Sequence, residues 1–309
     1  MRIAVMAAGG VGGYFGARLQ QAGHEVMFFA RGRHLEALRK NGLSVKSALG
    51  DLHFPVKVSD NPKEVGPVDV VLFAVKLWDT ERAAESIRPL LAGGGVVIPF
   101  QNGVESIARL KKILPEKAVM GGAAYIATRI GEPGVIVHTG PIARLRFGVT
   151  HATQRAAAEA FLAACRGAKI DTELADDIER VLWEKFVLLV AISATTALAR
   201  TTIGVVRGDA EMRWMLEAVM RETWTLGRKL GVALADDQVE KTLAQADAFT
   251  PDMRASMAAD LEAGGRLEAP WLSGAVARMS RDAGLDAPVN RTVFAALKPF
   301  VDGSQSQAR

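Results

Sequence analysis

The chain opens on an apolar run, Ile3-Ala4-Val5-Met6, that ends at once in Ala7-Ala8-Gly9-Gly10-Val11-Gly12-Gly13. No other feature restricts the fold as strongly. A short apolar run stopped by a glycine cluster reads as a buried strand, and residues 11–22 read as a helix. A strand feeding a helix through so tight a turn begins a βαβ unit, the building block of a parallel sheet. A second apolar run at 26–29 supplies the next strand.

The turn also suggests chemistry. Gly9 lets the backbone approach a pyrophosphate, and Gly12 lets the helix lie close to the strand. The helix N-terminus then supplies amides and a partial positive charge. Ala7 stands where the Gly-x-Gly-x-x-Gly pattern has its first glycine, which implies a slightly altered turn. A strand–helix turn without a ligand would show the same glycines. Placement between two strands at the start of the chain favours a dinucleotide site.

The end of the second strand distinguishes the dinucleotides. An NAD site usually carries Asp or Glu there, about 20 residues past the motif. This chain has Phe29-Ala30-Arg31-Gly32-Arg33, without an acid. Arginine suits a 2′-phosphate through charge-assisted hydrogen bonds, so Arg31 points to NADP.

Strand–helix alternation continues through the first half. Strands are expected at 3–6, 26–29, 43–45, 68–75, 95–100, 119–122, 134–139 and 143–147, and helices at 11–22, 34–41, 80–91 and 106–114. Fully apolar runs such as Val70-Val71-Leu72-Phe73 suit strands buried on both faces. From about residue 155 strands are no longer expected. Successive helices are predicted at 155–165, 176–199, 208–230, 236–248, 253–263, 270–283 and 289–300. The expected architecture is α/β, with a Rossmann-type dinucleotide-binding domain over 1–172 and an all-α domain over 173–309.

Composition excludes several classes. Of 309 residues 49% are hydrophobic and 23% charged, as in an ordinary globular chain with a full core. The net charge of +4 is dispersed, so nucleic acid is not an expected partner and a small anion fits better. The lone Cys165, in an alanine-rich apolar helix, reads as core and suits a reducing compartment. The chain begins on a strand, so no signal peptide is expected. The longest strictly apolar run, 186–192, is too short to span a bilayer. A cytoplasmic protein is the expectation. His24, His34, His53, His138 and His151 lack ligand spacing, so no metal is expected. Trp214, Trp224 and Trp271 read as core or interface residues.

Lys185 interrupts the helix expected at 176–199. Ile178, Leu182, Leu189 and Ile192 form an apolar stripe, and Lys185 occupies the position a further leucine would take. A lysine on a buried stripe needs a partner, a shifted pKa or a cavity. Lys76 and Asn102 follow apolar strands, at the carboxyl ends where ligands of such sheets bind. An exposed loop cation and a plain Asn-Gly turn are the blander readings of those two.

The ordered set of motifs resembles the ketopantoate reductase (2-dehydropantoate 2-reductase) family over essentially the whole chain. It comprises the glycine turn, Ala30-Arg31-Gly32, Phe73-Ala74-Val75-Lys76, Gln101-Asn102-Gly103-Val104, Leu182-Trp183-Glu184-Lys185, Ser256-Met257, Trp271-Leu272-Ser273-Gly274 and Pro288-Val289-Asn290. The resemblance implies NADPH-dependent reduction of a 2-oxo acid, with ketopantoate reduction for pantothenate synthesis as the default. It makes Lys185 the general acid and Glu268 its partner or a substrate ligand. Asn102 and Ser256 would bind polar groups of the substrate, and Lys76 would lie near nicotinamide and substrate. Gly9, Gly10, Val11, Gly12 and Arg31 would hold the cofactor, with Lys76 and Asn102 adjoining it.

Departures from the family pattern bear on the substrate. The best-known members carry asparagines four and eight residues after the lysine, where this chain has Leu189 and Ser193. Ser193 is the expected substrate contact on that face. Pro270 replaces a frequent Asp, and Arg254 offers a replacement cation for a carboxylate. A related dehydrogenase acting on a different 2-oxo or hydroxy acid therefore stays open, as does a non-catalytic NADP-binding sensor. The expected partner is a small 2-oxo acid, with a homodimer left open.

Overall fold

The computed structural model describes residues 1–303 and divides into two compact units, Met1–Ile178 and a second that begins at Glu179. In the first unit the opening run forms β1 (Arg2–Met6), and the glycine turn leads into α1 (Gly10–Gln21). There follow β2 (Glu25–Phe29), α2 (Gly32–Asn41), β3 (Leu43–Ser47), β4 (Leu52–Phe54) and β5 (Lys57–Ser59). Next come β6 (Val70–Phe73), α3 (Thr80–Ile87), β7 (Val96–Pro99) and α4 (Ser106–Lys111). Two long strands, β8 (Gly121–Ile130) and β9 (Val135–Gly148), precede α5 (Arg155–Gly167) and β10 (Asp171–Leu174).

Five strands form a wholly parallel sheet in the order β5-β2-β1-β6-β7. Its pleat explains the unbroken apolar runs. Ile3, Val5, Val70, Leu72, Val96 and Ile98 enter one core, packed with Tyr14, Phe15 and Leu19 of α1. Ala4, Met6, Val71, Phe73 and Val97 enter the other, under Ala83, Ala84 and Ile87 of α3 and Leu110 of α4. Alternate residues thus serve opposite faces, and both faces are covered. Gly16 brings α1 tight against the sheet: a Cβ there would lie 2.6 Å from Phe28 and 2.7 Å from Val5.

A second, mixed sheet packs on the far side of α1, in the order β10-β9-β3-β4 with β8 on β9. The strands expected at 134–139 and 143–147 are the two arms of β9. Their break is a register shift against β8, where Ile126 faces Ala143 but Ala127 faces Thr139. Gly140 at φ +80° and Pro141, which has no N–H to donate, account for the irregularity. The hairpin joining β8 to β9 closes through Pro133 and Gly134 (φ +85°), with the Val135 N–H donating to the Glu132 carbonyl at 2.9 Å. Proline followed by positive-φ glycine is the type II pattern.

Three strands depart from the sequence expectation, and two of them, at 52–54 and 57–59, are only three residues long. The third, β10, shows that strands continue past residue 155, and it spans position 172. Its sequence, Asp-Thr-Glu-Leu, has no apolar run. Pairing with β9 holds it in place, and Glu173 accepts hydrogen bonds from Arg144 at 2.9 Å and Arg146 at 2.8 Å. Cys165 is fully buried in the first unit's core, and burial pushes its thiol up to about 12.

The second unit is helical: α6 (Ile178–Leu198), α7 (Ile203–Gly208), α8 (Ala210–Lys229), α9 (Gln238–Asp247), α10 (Ser256–Glu262), α11 (Ser273–Asp282) and α12 (Pro288–Leu297). Only α7 was not expected. Helix α8 is capped by Asp209, which accepts from the Met212 N–H at 2.9 Å, and its Glu222 caps α12 by accepting from the Val289 and Asn290 N–H groups at 2.8 Å. Trp214 is 62% exposed, so it is not a core residue.

Helix α6 corrects two expectations. Its 21 residues are long and apolar enough to cross a membrane, with mean hydropathy 1.7 over the most apolar 18-residue window, which the run 186–192 alone did not suggest. Its most apolar window is 72% buried within the protein, as a core helix would be. Nor is the burial confined to one stripe. Val181, Trp183, Phe186, Val187 and Val190 are buried along with Ile178, Leu182 and Ile192, whereas Lys185 and Leu189 keep partial exposure. A helix apolar nearly all round is buried nearly all round, so Lys185 lies on its more open strip.

Candidate active site

Because every strand of the five-stranded sheet is parallel, the loops after β1, β2, β6 and β7 leave from one edge. The sequence-predicted residues of the first unit gather there. The turn after β1 contains Gly9, whose φ of −76° is ordinary and around which a Cβ would meet nothing within 4 Å. Gly12 is the opposite case: a Cβ would fall 2.1 Å from the Ala7 carbonyl oxygen and 2.8 Å from Val5. Gly10 lies under Thr128 of β8, whose Oγ1 would be 2.8 Å from a Cβ. Val11 follows in the first turn of α1 and packs against the core. Glycine at the N-cap leaves the helix start without a side-chain cap, and no acidic residue occupies the first turn. Open space at Gly9, close packing at Gly12 and uncapped amides fit a bound pyrophosphate.

Arg31 follows β2, exposed, at the N-cap of α2. Lys76 follows β6 at the N-cap of the 3-10 turn Leu77–Asp79; it is exposed, with its ammonium 5.6 Å from the Trp78 ring centre. Asn102 follows β7 and is half-buried. Between Lys76 and Asn102 stands Gln101, which the sequence reading quoted within a motif without giving it a role. Its buried amide donates to the Val75 carbonyl and to Thr80 Oγ1, each at 2.9 Å, which ties the two loops together. No motif spacing could have shown that link, because it joins a side chain to a backbone carbonyl in the loop after β6 and to a hydroxyl at the start of α3.

The second unit holds the remaining candidates. Lys185 and Ser193 lie two turns apart on one face of α6, with Leu189 between them, and Ser193 is buried. Glu268 is 7% exposed at the N-cap of the 3-10 turn Ala269–Trp271, whose second residue is Pro270. Burial pushes the Lys185 ammonium down to about 8, and the Glu268 carboxylate opposes that shift. Residue 185 keeps some exposed surface, but its charged end is enclosed enough for desolvation to win. Ser256 is exposed in the first turn of α10, with Ala255 at the N-cap. Arg254 is already matched in charge: it pairs with Glu262 at 2.5 Å, which argues against its role as a replacement cation for substrate.

An ammonium poised near neutrality beside a buried carboxylate can give up a proton and stabilise a developing alkoxide. An open glycine turn at a helix N-terminus can hold a dinucleotide. The family model for ketopantoate reductase PanE/ApbA matches residues 3–151, and the model for its C-terminal domain matches 177–301. A 2-dehydropantoate 2-reductase of Archaeoglobus fulgidus is 32% identical, aligned over 98% of both chains. An uncharacterized oxidoreductase of Bacillus subtilis, YkpB, is 30% identical over 97% of this chain and 99% of its own. The crystal structure of a PanE/ApbA family ketopantoate reductase from Ralstonia eutropha superposes with a TM-score of 0.89 at 32% identity, covering 100% of both chains. Motifs, fold and relatives converge, and the chain belongs to the ketopantoate reductase family of oxidoreductases.

Proposed function

We propose that the chain reduces a 2-oxo acid to the 2-hydroxy acid with NADPH, and that ketopantoate, reduced to pantoate for pantothenate synthesis, is the leading substrate. The observation that carries this reading is Lys185, an ammonium lowered to about 8 by burial and opposed by Glu268. The Archaeoglobus relative supports the choice of substrate. The preference for NADPH rests on Arg31 at the end of β2, where no acid stands in Phe29-Ala30-Arg31-Gly32-Arg33. A lone buried thiol suits a cytoplasmic enzyme.

The dinucleotide, when bound, supplies hydride to the 2-oxo carbon. Lys185 donates its proton to the carbonyl oxygen as negative charge develops there, and it recovers a proton from water after product leaves. Glu268 keeps Lys185 protonated near neutral pH by opposing the effect of burial. Asn102, Ser193 and Ser256 bind polar groups of the substrate, and Lys76 adds positive charge beside the carboxylate.

Leu189 favours a second reading, a less polar 2-oxo acid. It sits one helical turn after Lys185 and cannot hydrogen-bond a substrate. Initial rates of NADPH oxidation with ketopantoate, pyruvate, 2-oxoisovalerate and bulkier 2-oxo acids, with NADH as control, separate the two. Ketopantoate turnover at the highest kcat/KM supports the first reading. Turnover confined to another acid supports the second, and inactivity on all of them despite NADPH binding identifies a sensor.

A further inference from the structure

His34 stands in the first turn of α2, three residues after Arg31, and no motif marks it. Its ring joins three segments of the first unit. Nδ1 accepts the Gly134 N–H at 3.0 Å, from the hairpin between β8 and β9. Nε2 lies 2.9 Å from the Ala8 carbonyl in the glycine turn. These partners fix the tautomer. An N–H can only donate, so Nδ1 carries a lone pair; a carbonyl can only accept, so Nε2 carries the proton. Burial, which pushes the His34 pKa below its ordinary value, favours the same neutral ring.

Both ends of this bridge are anchored. The Gly134 carbonyl accepts from the Ser44 N–H at 2.9 Å, and positive φ at Gly134 sets its turn. The Ala8 N–H donates to the Phe29 carbonyl at 2.8 Å, at the end of β2. The Ala8 carbonyl shares a planar trans peptide with the Gly9 N–H, and the two point in opposite directions. Holding the carbonyl on His34 therefore aims the Gly9 amide away from His34, and a Cβ on that same glycine would meet nothing within 4 Å.

We propose that His34 is a positioning residue for the dinucleotide: by donating from Nε2 to the Ala8 carbonyl it fixes the Ala8–Gly9 peptide and with it the amide that Gly9 presents to the pyrophosphate. The inference rests on the reading of the glycine turn as the cofactor site. Without the donor, that peptide is free to rotate, and the pyrophosphate meets an amide that must be reoriented on binding.

Two conservative variants separate positioning from support. In His34→Gln the side-chain amide reaches the Nε2 position and keeps a donor for Ala8. In His34→Asn the carbonyl replaces Nδ1, which keeps an acceptor for Gly134 and removes the donor. Dissociation constants for NADPH are read by nucleotide fluorescence on the full chain, with thermal unfolding in parallel. His34→Asn is expected to weaken NADPH about fivefold to tenfold, the worth of one lost hydrogen bond, and His34→Gln to restore it to within about twofold. With the preferred 2-oxo acid, the loss falls on KM for the dinucleotide and not on kcat. Equal affinities in the two variants overturn the proposal, whether both match the wild type or both are weakened with lowered unfolding temperatures. A wild-type chain that binds neither NADPH nor NADH overturns the cofactor reading itself, an outcome distinct from any difference between the variants.

Discussion

At the scale of single residues, Lys185 is held between two opposed effects. Burial favours its neutral form, Glu268 favours the cation, and the balance lies at about 8. A general acid works while protonated, so kcat should fall as pH rises through about 8. Glu268→Gln removes the opposing carboxylate, so the alkaline limb should move to lower pH. A limb that stays in place in kcat–pH profiles of the variant would remove Glu268 from that role. Lys185→Ala should lower kcat by about 10²–10⁴-fold, the usual worth of general acid catalysis, while NADPH fluorescence titration still shows binding. The lysine was legible in sequence because a cation interrupting an apolar helix is a local pattern. Its surroundings were not, since periodicity suggested one stripe and the helix is buried almost all round. His34 was wholly illegible. Its role depends on backbone groups 26 and 100 residues away.

At the scale of elements, the glycine turn and α1 combine close packing at Gly12 with open space at Gly9, and the proposed function divides their work between packing and binding. The division can be tested with methyl groups. Gly12→Ala places a carbon 2.1 Å from the Ala7 carbonyl oxygen, so the strand and helix must move apart. Its expected cost is on the order of 1–3 kcal/mol, read as a lower midpoint in denaturant unfolding. Gly9→Ala meets no atom within 4 Å and needs no unusual φ, so that midpoint should stay near wild type while NADPH binding weakens. Equal stability loss in both variants would contradict the division. The long apolar strands of the parallel sheet were legible because each carries its own run. Strands β4 and β5 are three residues each, and the polar β10 is a strand only because β9 lies beside it.

At the scale of the whole molecule, a dinucleotide that binds only the folded state must stabilise it. NADPH at one hundred times its dissociation constant should add about 2.7 kcal/mol, read as a rise of several degrees in the thermal unfolding of the wild-type chain. NADH at the same concentration should shift it less, because Arg31 would lack a 2′-phosphate to bind. Equal shifts would remove the basis for an NADPH preference. The sequence by itself determined the strand–helix alternation, the glycine turn, the helical second unit and the family. All of these are written in local periodicity, turn chemistry or ordered motifs. Only the tertiary structure decided that a mixed second sheet covers α1, that Gln101 ties the Lys76 and Asn102 loops, and that Glu262 already engages Arg254. It also set how far burial shifts Lys185 and which backbone groups His34 joins. Those outcomes depend on groups far apart in the chain, whose hydrogen bonding and desolvation take definite values only once packing has fixed their distances.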